Sequence, residues 1–177
     1  MIKPVTRHIW TYRAIYLLLG FFVMACKLLP LGLDGRGLPA PDILLAVTLA
    51  WLLRQPAVVP IGAIMIVFLL ADFLFQRPPG LWTLLVLLAS EILRRQPQVV
   101  AFPFLMECTA FAGAVFTLLI LNHIALWLLM VERPSFGPVL VHGIVTVAIY
   151  PVVVAVSKFL FGLRKLGPIN VEATQSL

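Results

Sequence analysis

Apolar residues in this chain do not alternate with polar ones. They run in blocks, and short polar or proline-rich stretches separate the blocks: "DGRGLPAPD", "RQP", "QRPPG", "RRQPQ" and "VERPS". Six blocks predict six membrane-spanning helices, at 14–33, 40–55, 57–75, 80–95, 109–131 and 136–163. A helix needs about 20 apolar residues to cross the hydrocarbon core, and the second and fourth blocks fall short of that. The run from Gln98 to Val131 is too long: its 34 residues would reach about 50 Å against a core of about 30 Å. Pro103 lies inside it and predicts a break. The reading therefore places an interfacial stretch at 97–107 and starts the fifth span at 109.

Composition removes the alternative of a soluble fold. The chain has 177 residues, of which 62% are hydrophobic and 11% charged, with a mean hydropathy of +1.09. A soluble domain carries about 45–50% apolar and about 25% charged residues. The expected class is an all-α integral membrane protein, with one transmembrane domain over 1–163 and a short tail at 164–177.

Charge then sets orientation. Lys3, Arg7, Arg13, Arg54, Arg94, Arg95, Arg164 and Lys165 fall on one side of a six-span layout, and Arg36, Arg77 and Arg133 on the other. Eight against three places both termini in the cytoplasm. The net charge of +6 comes without a basic stripe, so no nucleic-acid partner is expected. The opening segment, with its "VMAC", stays apolar beyond Cys26 and reads as the first span, not as a leader. Cys26 and Cys108 lie in apolar blocks and read as free thiols.

The chemistry rests on the few polar residues within the blocks. Pro41 and Asp42 open the second block, where a proline suits the first turn and an acid meets the positive end of the helix dipole. Arg54, twelve residues on, lies about 18 Å away along the axis and reads as snorkelling to the surface. Lys27, Asp42 and Asp72 share the outer half of the bilayer, with Arg77 and Arg36 near in depth. A charge in hydrocarbon costs several kcal/mol unless it is paired or wetted. The expected solution is a polar network in which Lys27 faces Asp42, Asp72 or both, joined by Arg77, and which is available to a partner.

His123 and His142 match in depth on adjacent antiparallel spans and read as a helix-pair contact. No third ligand or HExxH spacing accompanies them, so no metal is expected. Glu91, Arg94, Arg95 and Glu107 read as a solvated interfacial network, with Glu91 and Arg95 paired at i,i+4. "AFAGAVF" (110–116) is small enough for close helix approach, inside the bundle or toward a partner. No nucleophile–base pair, phosphate loop or paired-acid signature is visible. The chain is read as non-enzymatic, with no cofactor.

In order and spacing, "PDILLAVTLAWLLRQP" and "FLLADFLFQRPPGLWTL" resemble MreD, the rod shape-determining membrane protein family of bacteria. Pro41-Asp42, Arg54, Asp72 and Gly80 carry the resemblance, which covers roughly 38–95. Phe68 departs from it, standing where the family tends to have a glycine.

The resemblance implies a non-enzymatic component of the cell-elongation (rod) complex in the bacterial inner membrane. It would support lateral peptidoglycan synthesis and rod cell shape. The implied partners are MreC, RodA with its transpeptidase, RodZ and MreB, with membrane lipid around the bundle. The implied fold is similar to the six-helix substrate-binding subunits of energy-coupling-factor transporters. Two other readings stand beside it: a vitamin-type small-molecule binding subunit of a membrane transporter, and a membrane scaffold unconnected with the wall. Against the transporter reading, the first span lacks an alanine at every fourth residue.

Overall fold

A computed structural model describes residues 4–29, 40–95, 103–131 and 135–161. The expectations for Arg36, for 97–102 and for the tail at 164–177 fall outside these residues. The described residues form six α-helices and no strand: α1 (Pro4–Leu28), α2 (Ile43–Arg54), α3 (Ile61–Leu74), α4 (Leu81–Arg94), α5 (Phe104–Leu128) and α6 (Phe136–Phe161). Three stretches are long and apolar enough to cross a membrane: Ile9–Leu28, Phe104–Leu128 and Phe136–Leu160. The chain is thus a membrane protein by its helices as well as by its composition. Helix α5 runs unbroken from Phe104, so Pro103 starts it, and the expected interfacial stretch does not extend past that proline.

Helix α2 is the centre of the molecule. It has 12 residues, and every one from Leu44 to Arg54 is buried. The sequence explains this: "ILLAVTLAWLLR" has no polar stripe, and a helix apolar all round must be covered all round. Helices α1, α4, α5 and α6 all pack on it. At about 18 Å it is too short to cross the hydrocarbon core alone. The lipid-facing apolar surface belongs to the other helices, through residues such as Phe22, Phe73, Leu105, Leu128 and Phe159.

Polar contacts fix the relative directions. Tyr16 Oη pairs with Thr48 Oγ1 at 3.0 Å, and Arg13 donates to the Ala57 carbonyl at 3.2 Å, so α1 and α2 are antiparallel. The Thr48 hydroxyl already donates to the Leu44 carbonyl, so Tyr16 is the donor of that pair. The Asp42 N–H donates to Thr146 Oγ1 at 3.0 Å, and Trp51 Nε1 donates to Ser157 Oγ at 3.1 Å. Helices α2 and α6 are therefore parallel.

Helices α3 and α4 form an antiparallel hairpin, and α5 and α6 another. The second pair closes at Gly143, where a Cβ would stand 2.8 Å from Leu119 Cδ1 and 3.0 Å from Phe116 Cε1. Within the patch at 110–116 Phe116 meets this approach and Gly113 does not: nothing lies within 4 Å of a Cβ built on Gly113.

Two helices end alike at the Asp42 end of the bundle. After α3, Gln76 adopts φ 52°, and the Arg77 N–H returns to the Asp72 carbonyl at 3.0 Å. After α5, Met130 adopts φ 53°, and the Val131 N–H returns to the Leu126 carbonyl at 3.1 Å. Both are Schellman closures built without the usual glycine.

Candidate functional site

The motif residues act first as helix ends. Asp42 is the N-cap of α2; its Oδ1 accepts from the Leu45 N–H at 3.2 Å, satisfying a first-turn donor. Asp72 caps a different helix from its own. Gly80, the N-cap of α4, has φ 85° and no side chain to offer. Asp72 Oδ2 supplies the acceptor, taking the Gly80 N–H at 3.1 Å, the Thr83 N–H at 3.2 Å and the Thr83 hydroxyl at 2.7 Å. Its other oxygen, Oδ1, is buried and has no hydrogen-bond partner among the described residues.

Lys27 pairs with neither acid. Among the described residues neither it nor Arg77 makes an ion pair; both meet aromatic rings instead. The Lys27 Nζ stands 5.1 Å from the Phe75 centroid, and the Arg77 guanidinium carbon 5.7 Å from the same centroid and 5.5 Å from that of Trp82. Both acids act as caps, Asp42 on its own helix α2 and Asp72 on the neighbouring α4, and the contacts that Lys27 and Arg77 make there are cation–π ones.

Asp42, Arg77, His123 and His142 do share a cavity of about 470 Å³, with Trp82 and Asn122 also in its wall. It lies between the α3–α4 turn and the α5–α6 pair. The two histidines have separate neighbours. His142 lies near the Ala40 backbone, and His123 stands edge-on to Phe136 with centroids 5.3 Å apart. Asp42, Lys27 and Arg77 are all close enough to His142 to interact with it electrostatically. No three His, Cys, Asp or Glu among the described residues gather closely enough to hold a metal ion.

The opposite end carries a polar site that the sequence reading placed in water. Arg54 Nε donates to Glu107 Oε1 at 2.9 Å and Nη2 to Oε2 at 3.3 Å, a two-point pair. The Tyr150 hydroxyl donates to Glu107 Oε1 at 2.8 Å, while its ring stacks on Phe111 with centroids 4.0 Å apart. Glu107 is 0% exposed and Arg54 7%. Arg54 therefore does not snorkel, and Glu107 is not a solvated interfacial acid. Their burial follows from position: Arg54 ends the enclosed helix α2, and Glu107 lies on the inward face of the first turn of α5. Tyr150, between them, is the member that hydropathy alone did not single out.

Glu91 and Arg95 do pair on the surface, at 2.9 Å. Arg94 also stands 3.9 Å from Glu91, and it donates to the carbonyls of Pro56 and Val59, at 2.8 and 2.6 Å, and so holds the α2–α3 connection.

A second, apolar depression of about 720 Å³ lies between α1 and α6. Leu19, Phe22 and Val23 form one wall, Val152 and Val156 the other; Ile43 and Val47 of α2 form the floor, and Lys27 also borders it. No protein-family model, no curated protein and no solved structure matches this chain.

Proposed function

We propose that this protein is a non-enzymatic membrane scaffold of the MreD type, which binds MreC within the bacterial elongation complex. One observation carries the reading. The residues of the resemblance (Asp42, Arg54, Asp72 and Gly80) all form or hold helix ends in α2, α3 and α4. Such a signature describes a fold; a catalytic signature would converge reactive groups on one point. A scaffold needs only that fold and a surface.

The surface we assign to MreC is the apolar groove between α1 and α6. Two helices flank it and the core helix floors it, which suits one further helix laid lengthwise by close packing. MreC, as the resemblance implies it, contributes a single span.

The topology we favour is six-span, with both termini cytoplasmic. Short α2 and α3 would reach the interfaces with the help of their connections. Exposed Trp10 and Trp127 lie near opposite ends of the bundle, as interfacial aromatics do. Arg54, neutralised by Glu107, leaves seven of the eight basic residues on the cytoplasmic side against three outside. RodA, its transpeptidase, RodZ, MreB and the similarity to energy-coupling-factor subunits rest on the resemblance alone.

The test is affinity purification of the full chain from native membranes, with identification of what accompanies it. Recovery of MreC supports the reading. Recovery of a transport ATPase without MreC would replace it with the transporter reading.

A further inference from the structure

The cavity at the Asp42 end contains more hydrogen-bonding groups than the protein uses. Arg77 is half-buried there with five N–H donors. Its contacts among the described residues are with the rings of Phe75 and Trp82. Contact with ring faces leaves the N–H edge without an acceptor. The Trp82 side chain is in the wall and 5% exposed. Its Nε1 and the His123 Nδ1 are both buried without a hydrogen-bond partner among the described residues. Buried polar groups are normally satisfied, and an orphan costs about 1–3 kcal/mol.

The local charge points the same way. Lys27 and Arg77 both stand over Phe75, and neither has an ion-pair partner among the described residues. The nearby anion, Asp42, already caps α2. A partly desolvated guanidinium requires an opposite charge or water.

We propose that this cavity binds the phosphate of a molecule that also carries a hydrogen-bond donor, with Arg77 as the anchor. A guanidinium matches a phosphate with two parallel N–H···O bonds. Asp42, across the same cavity, favours a ligand whose phosphate is joined to an ammonium or hydroxyl group over a bare anion. Leu81, Leu119 and Val139 make the remaining wall apolar, and 470 Å³ holds a headgroup with the first carbons of its chain. A phospholipid headgroup and a soluble phosphate monoester share this chemistry. The proposal does not depend on the scaffold reading.

The experiment uses the full chain in detergent micelles, with thermal unfolding followed as either phosphoethanolamine or phosphatidylethanolamine is added. Both probes raising the unfolding temperature indicates a cavity open to water. A rise with the lipid alone indicates a headgroup site entered from the bilayer. In either case Arg77→Met weakens binding about 10- to 100-fold, the loss expected of a charge-assisted pair, and Arg77→Lys falls between it and the wild type.

Trp82→Phe retains an aromatic ring, smaller than the indole, and deletes the N–H. It weakens the probe, so the rise in unfolding temperature that the probe produces shrinks, whatever the smaller ring costs the unliganded protein. A purely structural tryptophan would lower the unfolding temperature with and without the probe alike and leave the probe's shift unchanged. The proposal is overturned if neither probe shifts the wild type, or if Arg77→Met and Trp82→Phe both bind as the wild type does.

Discussion

Arg54 and Glu107 lie 53 positions apart in sequence, yet their side chains meet at 2.9 Å inside the bundle, where Glu107 is wholly buried. The pair ties the end of the core helix α2 to the start of α5. Tyr150 Oη on the same carboxylate oxygen brings in α6. A buried ion pair need not add net stability, but removal of one partner leaves a charge stranded in a low-dielectric site.

Glu107→Leu is therefore expected to cost about 3–5 kcal/mol, and Arg54→Leu a similar amount. The double variant Arg54→Leu/Glu107→Leu should recover most of that loss, since it strands no charge. Chemical unfolding in detergent across the four proteins checks this as a double-mutant cycle. Additive losses would mean that the two residues do not act as a pair.

Asp72 caps α4 through three hydrogen bonds to one oxygen. Asp72→Ala leaves two backbone N–H groups and a hydroxyl without their acceptor and should destabilise by about 2–4 kcal/mol. Asp72→Asn retains a carbonyl oxygen in the same place and should cost about 1–2 kcal/mol. The same unfolding assay separates this capping role from a charge-pairing one: if pairing with Lys27 or Arg77 were the main role, Asn would be nearly as damaging as Ala.

Met130 closes α5 with φ 53° while 95% of its surface is exposed. A side chain in the left-handed region costs about 1 kcal/mol relative to glycine. Met130→Gly is thus expected to stabilise the protein by about 0.5–1 kcal/mol, visible as a higher melting temperature. A loss of stability would show that the methionine makes a contact worth more than the strain.

Gly143 sets the distance between α5 and α6. A valine there must displace Leu119 and the Phe116 ring and should cost about 1–3 kcal/mol through overpacking. Gly113, facing open space on α5, should accept alanine with no loss, because alanine is the better helix former. Comparison of Gly143→Val with Gly113→Ala in one melting experiment checks which glycine carries the helix contact.

The helices themselves were legible because prolines and charges punctuate the apolar blocks. Pro41-Asp42, Pro60, Pro78-Pro79-Gly80 and Pro103 each stand at or next to a helix start. Asp42 as a helix-start acid was legible from its place after a proline, although it caps α2 from just outside the helix and does not lie in the first turn. Which apolar residues face protein and which face lipid was not legible, because both surroundings favour the same side chains. Helix α2 reads as one more span, yet it is the enclosed core. The same blindness placed Arg54 and Glu107 in water: hydropathy reports where a block ends, and an end can be buried. The cavity joining Asp42 to Arg77, His123 and His142 was partly legible: depth grouped Asp42 with Arg77 and His123 with His142, but did not join the two sets. The cation–π contacts on Phe75 depend on side-chain direction, which depth does not give.

The central claim is that the groove between α1 and α6 receives the single span of MreC. A photo-cross-linking amino acid placed at Phe22 or Val156, one on each wall, tests it in living membranes. Met65, exposed on α3, serves as the control. We expect a cross-link to MreC from both groove positions and none from Met65. A cross-link from Met65 with none from Phe22 or Val156 would contradict the assigned surface, and no MreC adduct from any position would contradict the scaffold reading itself.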